Sequence, residues 1–555
     1  MLNQNIMMRK LLIISSLVLV LASCTKKFAN LNQDPTKPTT VPLAYLFSSA
    51  QLEMGGSQND PGYTQWRTNL FYCAPMTQQM ASTTTTQYAG DKYFYANEPS
   101  GAWFGFSSSG EGHYLNAIKT MTQLLYTARL DSVTNVNILS MTRILRVYLF
   151  QQMTDIYGDV PYFQAGLGYI TQNTTPPFDK QSAIYADMLN ELAVAGAALS
   201  ATASNPGAAD FAYGGNITSW QHFANSLMLR IAMRMVNVDP TDAQTWAAKA
   251  IAGGLIASNA ENFQFNWQGG PSQNINPNSY DLGASNNNHR GEVGVTPTQG
   301  VGDIQWGATL INMMKSRNDP RLGMIAAIPS ASTPIVFAGP PAVPLGDTLA
   351  AHQNGLPNGL TEGAVLQAAT GFASSKGCCF SVPTPYLYQD NSPQMLLTYA
   401  ESEFLKAEAI DRGWATGSAA TEFALGQTAS LQTILSYNNS ANASPFTITP
   451  AAIAAYQAKN PFPGTGLAND MIAIHTEMYA LTAVTLNFIE EWADWRRTGI
   501  PALTPVNYAG NASNGQIPRR LVYPQEESVL NPAAYNAAIT DQGPDVFTTH
   551  VWWDK

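Results

Sequence analysis

Apolar residues recur at helical spacing along most of the chain. Over residues 113–129, Leu115, Ile118, Met121, Leu124 and Leu125 fall on one side of a helix. The same i, i+3, i+4, i+7 pattern runs through 138–157 (Ile144, Leu145, Tyr148, Leu149, Met153) and 181–198 (Ile184, Met188, Leu189, Leu192). It continues over 218–235 with Trp220, Phe223, Leu227, Met228, Ile231 and Met235, and predicts further helices over 305–317, 394–412, 421–437, 448–458 and 468–495. One apolar face per helix implies a shared core. Consecutive helices of similar length predict antiparallel pairs, stacked as in a tetratricopeptide-like solenoid, although no clean repeat of about 34 residues is visible. The fold class expected is mostly α, with little β.

Three stretches break this pattern at about 55–112, 262–304 and 328–393. The first holds Tyr63, Trp66, Phe71, Tyr72, Tyr88, Tyr93, Phe94, Tyr95, Trp103, Phe104 and Phe106; the second holds Phe263, Phe265, Trp267 and Tyr280 among Asn, Gly and Pro. The third is rich in Gly, Pro and Ala. Loops of this length are usually functional or disordered, and the aromatic content argues for the former. No long linker divides the rest, so 41–555 reads as one helical domain with elaborated loops.

The N-terminus changes the picture. Arg9 and Lys10 precede the apolar run LLIISSLVLVLA over residues 11–22. As a helix that run is about 18 Å long, too short to span hydrocarbon about 30 Å thick, and it fits the apolar region of a secretory signal over 1–23. It ends Leu21-Ala22-Ser23-Cys24, similar to a bacterial lipobox. That implies cleavage before Cys24 and acylation there, with 24–40 as a tether. Several acyl chains anchor stably where one is marginal.

Loss of 1–23 removes two bases and no acid, so the formal charge moves from −10 to −12. With no dense Lys/Arg tract, nucleic-acid binding is not expected. Charged residues make up 12% of the chain, against about a quarter in ordinary proteins, so Asn, Gln, Ser and Thr supply the polar surface. Apart from Cys24 the cysteines are Cys73, Cys378 and Cys379, too few for a disulfide framework; Cys73 pairs with one of the others, or all three are buried thiols. The vicinal pair lacks chelate spacing, and no metal or cofactor is expected.

Several local motifs occur in a distinctive order: DIYGDVPY from Asp155 to Tyr162, PFDKQ from Pro177 to Gln181, and YGGN from Tyr213 to Asn216. They continue with NSLMLR ending at Arg230, NDPRL from Asn318 to Leu322, ESEFLKAEA from Glu401 to Ala409, Glu491-Trp492, DWRRTG from Asp494 to Gly499, and Pro518-Arg519-Arg520-Leu521 with Tyr523-Pro524. Together with the lipobox they resemble the SusD/RagB outer-membrane lipoproteins, in particular the starch-binding-associated SusD-like branch. The resemblance implies a tetratricopeptide-like helical body on the cell surface. It also implies capture of glycan or other nutrient for a partner TonB-dependent transporter of the SusC kind, without chemistry. Arg230 and Arg234 share a helix face and are expected to pair with Glu403 or Asp494.

A sugar offers a C–H face to an aromatic ring and hydroxyls to Asn, Gln, Asp or Arg. On residue type and loop location, the candidate ligand residues are Tyr63, Trp66, Tyr93, Tyr95, Trp103, Phe104, Trp267, Asn274, Asn278, Tyr280, His289 and Arg290. Each of these rings has packing against the body as its competing role. A secreted glycoside hydrolase is the enzymatic alternative, needing two carboxyls about 5–9.5 Å apart. Glu401, Glu403, Glu408, Glu490, Glu491 and Asp494 are the acids available, but they lie in helices with apolar neighbours. No HExxH, G-x-S-x-G or phosphate-loop motif is present. A third reading is a structural lid or assembly subunit of the transporter with no ligand site. If Cys24 carries the anchor, Cys24→Ser releases the protein from the outer-membrane fraction; unchanged retention on fractionation contradicts lipidation.

Overall fold

A computed structural model describes residues 41–56, 64–82, 90–105, 112–270, 274–282, 304–328, 347–361, 380–438 and 446–555. Its body is a run of helices packed in chain order. Helix α1 (Leu43–Gly55) lies on α2 (Lys119–Ala128), α2 on α3 (Val136–Tyr157), α3 on α4 (Gln181–Ala198), α4 on α5 (Ile217–Arg234) and α5 on α6 (Pro240–Ala252). After α7 (Ala308–Ser316), a second group follows: α8 (Tyr399–Asp411), α9 (Ala419–Thr433), α10 (Pro450–Lys459), α11 (Leu467–Thr485) and α12 (Phe488–Thr498). Helix α8 packs on α9, α11 and α5, which joins the two groups. Two short helices, α13 (Gln525–Leu530) and α14 (Pro532–Gln542), close the chain.

Side-chain caps decide several boundaries. Asn216 accepts from Ser219 N to start α5, Asp239 from Asp242 N to start α6, Ser418 from Thr421 N to start α9 and Thr449 from Ala452 N to start α10. Each such cap is worth about 1 kcal/mol. Pro240 and Pro450 stand at the first helical position, where no N–H is needed. Thr398 accepts from Glu401 N, so the segment expected as one helix over 394–412 is a strand followed by α8. Likewise 305–317 splits into a strand and α7. The helix expected over 468–495 breaks at Leu486, whose left-handed backbone (φ 55°) ends α11. A helical period cannot distinguish one long helix from two whose faces meet the same core.

The strands form three antiparallel pairs: β1 (Met80–Ser82) with β3 (Ile304–Trp306), β2 (Phe263–Asn266) with β6 (Pro393–Leu397), and β4 (Ala326–Ala327) with β5 (Val382–Pro383). Two of them join through irregular backbone. Trp306 N donates to Ser381 O (2.9 Å), Leu356 N to Trp306 O (2.8 Å) and Ser381 N to Asn354 O (2.7 Å), while Ile328 and Asp347 exchange hydrogen bonds. Ser82 faces Ile304 in the register. Residues flanking parts of all three sequence excursions therefore meet on one small platform beside the helical body.

Ionised side chains lie at the centre of the helices. Arg230 forks onto Glu401 (2.6 and 2.7 Å), and Arg234 Nη2 donates to one oxygen of Glu490, with Asp155 3.5 Å and Asp494 3.8 Å away. The expected partner Asp494 is thus present at longer range, but Glu403 is not a partner; it lies 3.8 Å from Lys406 instead. Two residues apart on α8, Glu401 and Glu403 point about 200° from each other round the helix, so they face different neighbours. Arg497 bridges Glu408 (2.8 and 2.9 Å) and Asp494 (2.9 Å), and His475 sits between the same two carboxylates at 3.1 and 2.7 Å. Burial disfavours the charged imidazole, but Asp494 and Glu408 outweigh it and hold the His475 pKa above its ordinary value. Burial also raises both carboxyls, and here Arg497 and His475 prevail and hold them low.

Glu401→Gln removes the forked partner of buried Arg230, leaving only Glu490 at 3.6 Å, and is expected to cost about 3 kcal/mol, read as a lower midpoint of urea unfolding. The His475 contribution has the opposite pH sense to that of its carboxylates. With its pKa raised in the fold, it is whole below about pH 6.5 and fades as pH rises through the folded value. The carboxylate contribution is whole above about pH 4 and fades in acid. The penalty of His475→Gln is therefore expected to shrink from about pH 6 upward; a penalty independent of pH refutes a charged His475.

Candidate functional site

The structure sorts the sequence-chosen residues into different environments. Tyr63, His289 and Arg290 lie outside the described residues, as do Cys24, Cys378 and Cys379 and the side chains of Trp66 and Tyr280. Trp103 is in the interior, its Nε1 donating to Thr64 O (3.0 Å) and its ring 4.4 Å from His113. Phe104 packs among Tyr114, Tyr157, Phe178 and Tyr523. Tyr93 is buried, and its hydroxyl accepts from Val506 N (3.2 Å). Trp267 lies against Gly55, where a Cβ would come within 2.8 Å of the indole. The exposed platform expected of Tyr93, Trp103, Phe104 and Trp267 is thus corrected: these rings fill the seam between loop and body, because a large apolar ring gains more from burial than from water. Asn278 is buried, and half-buried Asn274 closes its own turn, accepting from Gln268 N (3.2 Å). Cys73 is a buried thiol.

Tyr95 differs, with 47% of its surface exposed. It adjoins a surface that the sequence reading passed over. The segment 504–515, between α12 and α13, lies along 92–97: Ala512 N donates to Tyr93 O (2.8 Å), and Gly510, whose φ of 83° favours glycine, lies against Phe94. Phe94 and Tyr508 meet edge to face, centroids 5.4 Å apart. Asn97 is hydrogen-bonded by the Tyr95 hydroxyl (3.5 Å), and Asn507, Asn511 and Asn514 lie on the segment that carries Tyr508. Asn97 donates to Glu526 Oε2 (3.2 Å) and Asn511 to Tyr508 O (2.6 Å), so both amides are oriented. The run VNYAGNASNG, residues 506–515, mixes amide and aromatic residues as the first two excursions do, which was the signal available.

A buried ion pair fixes this surface to the platform. Lys92 Nζ donates to Asp91 Oδ1 (3.2 Å) and Ser82 O (3.0 Å), and lies 6.0 Å from the Tyr508 ring. Asp91 Oδ2 accepts from Gly359 N (2.8 Å), while Asn358 donates to Met80 O (2.7 Å). Burial pushes the Asp91 pKa up and the Lys92 pKa down, against their mutual attraction. The rings at 94, 95 and 508 therefore stand on a support that ties β1 to the 358–359 turn.

The acids considered for hydrolysis are buried. Glu401, Glu408, Glu490 and Asp494 face arginines, and Glu491 accepts from Thr482 (2.8 Å). A void of about 10 Å³ beside Glu401 holds no more than a water. Among the described residues, no group of three or more His, Cys, Asp or Glu is placed to hold a metal ion, and no helix is long and apolar enough to cross a membrane.

Comparison with known proteins gives a consistent result. A family described as "Starch-binding associating with outer membrane" matches residues 35–524. Among solved structures, a chitin-binding protein is 27% identical, with a TM-score of 0.75, and the match covers 93% of this chain and 100% of that one. A SusD-like protein of Bacteroidetes shares 23% identity at TM-score 0.72 over 93% of this chain and 100% of its own. A SusD homologue from Bacteroides uniformis shares 24% at 0.69 over 92% and 99%. No curated protein matches. The order of motifs, the stacked helices and a family match spanning nearly the whole described body agree, and the chain belongs to the SusD-like family.

Proposed function

We propose that this SusD-like nutrient-binding surface protein captures a glycan on the rim formed by Phe94, Tyr95 and Tyr508, and hands it unchanged to a SusC-like TonB-dependent transporter. In this reading it is held at the outer membrane by a lipid on Cys24 and catalyses no reaction. The observation that carries it is the pairing of partly exposed rings with oriented amides on a rigid support. A ring face takes the C–H face of a sugar at small entropic cost, and Asn side chains take its hydroxyls. The acids Glu526 and Asp545 adjoin Tyr95 and would repel an anionic ligand, while Lys92 is spent on Asp91, which favours an uncharged one.

The position of the acids supports a role without chemistry. Hydrolysis needs one carboxyl to protonate the leaving oxygen and a second to attack or to activate water. Here the candidate pairs are neutralised by arginines inside the helical body. The 27%-identical relative is a chitin-binding protein, which makes β-linked N-acetylglucosamine oligomers the first ligands to try.

Tyr95→Ala and Tyr508→Ala are each expected to weaken oligosaccharide binding about tenfold in calorimetry, the scale of one lost ring contact, with the unfolding midpoint unchanged. Binding unaffected by both variants refutes this site. Oligosaccharide recovered shortened after incubation refutes the non-catalytic reading, and failure to bind any of a broad set of glycans favours the lid alternative.

A further inference from the structure

A second recess lies on the helical body. It has a volume of about 250 Å³ and is lined by Leu46 of α1, by Lys119, Thr120 and Gln123 of α2, and by Tyr169 and Ile170 of the segment after DIYGDVPY. None of these residues belongs to the rim at Phe94, Tyr95 and Tyr508. The third wall is a firmly held loop. The Asp179 carboxylate accepts from Tyr162 N and Phe163 N (both 2.9 Å) at its root, and Asn173 donates to Gln164 Oε1 (2.7 Å) across it. Gly166 (φ 73°) lets the loop reach α2, since a Cβ there would come within 2.5 Å of Thr122 Oγ1. One helical turn, Gly168–Thr171, then presents Tyr169 with 87% of its surface exposed.

A lone exposed tyrosine means little, because apolar atoms make up much of any protein surface. This one stands at the mouth of a recess whose wall changes from apolar (Leu46, Ile170) to hydrogen-bonding (Thr120, Gln123, Lys119). Gln123 Nε2 already donates to Thr127 (3.1 Å), which leaves its carbonyl as the acceptor. Lys119 makes no ion pair among the described residues; the half-buried Glu53 carboxyl, which Thr120 also hydrogen-bonds, attracts it without contact, and the Thr120 oxygen keeps a free lone pair toward the recess. The space suits one pyranose ring, below the usual range of about 300–1,000 Å³ for larger ligands.

We infer that this recess is a second saccharide site, which takes a single pyranose carrying a carboxylate, a uronic acid. The Tyr169 ring covers one face of the sugar, Thr120 and Gln123 take hydroxyls, and Lys119 pairs with the carboxylate. A neutral sugar would leave that ammonium with only the distant Glu53, whereas an acidic one brings a carboxylate to hydrogen-bonding distance. The site lies on the helical scaffold, so its occupancy is independent of the rim.

The test is ligand-observed NMR and calorimetry on the purified protein with glucuronic acid and with glucose. Glucuronate is expected to bind more tightly than glucose. Tyr169→Ala should weaken it about tenfold, and Lys119→Met should abolish the preference for the acid. Tyr508→Ala should leave glucuronate binding unchanged, which separates this site from the rim. No glucuronate binding up to about 10 mM, a range where even millimolar affinities register, overturns the inference. So does equal binding by the Tyr169→Ala protein, and a preference for the acid that survives Lys119→Met overturns the assignment of the carboxylate.

Discussion

Everything in this fold is arranged around a set of charges removed from water. Asp155 comes from α3, Arg230 and Arg234 from α5, Glu401 and Glu408 from α8, His475 from α11, and Glu490, Asp494 and Arg497 from α12. Five helices from both halves of the chain thus supply one network. Taking each ion out of water costs several kcal/mol, and only close, forked geometry returns it. A helix shifted by one turn would strand a guanidinium against carbon. The network therefore selects one stacking of helices whose apolar faces would tolerate several.

The local devices serve that stacking. Asp155 also accepts from Trp553 Nε1 (2.9 Å) and from Tyr185, which draws the C-terminal residues and α4 onto the same point. The chain after α3 turns through Gly158. Val160 then pairs with Asp179, whose carboxylate holds the next two amides, so DIYGDVPY and PFDKQ form a single clasp. Asp319 and Arg321 in NDPRL fork together (2.6 and 3.0 Å), and Arg321 reaches Ser430 (2.8 Å), joining the end of α7 to α9. These motifs read as chemistry in a sequence, yet each is a way of satisfying polar groups where backbone leaves a helix.

The proposed ligand surface lies outside that network. The Asp91–Lys92 pair repeats at small scale what the helical network does at large: two buried ions paired with each other and with backbone oxygen and nitrogen. It lets the rings at 94, 95 and 508 stand in solvent without loosening their base. The rings behind them, Tyr93, Trp103 and Phe104, are spent on packing. An exposed aromatic surface of this kind needs a buried aromatic layer beneath it, and the two have the same amino-acid composition.

The sequence by itself determined the helical class, most helix positions and the family, because apolar period and motif order are written in the chain itself. It also placed Arg230 and Arg234 on one face. Only the tertiary structure decided that they meet Glu401 and Glu490 instead of Glu403, that α11 ends at Leu486, and that Tyr95 is exposed while Tyr93, two residues earlier on the same stretch, is buried. It alone brought 504–515 beside 92–97, some 400 residues earlier in the chain. Burial and pairing depend on what arrives from distant parts of the chain, and a side chain's type carries no record of its neighbour across the fold.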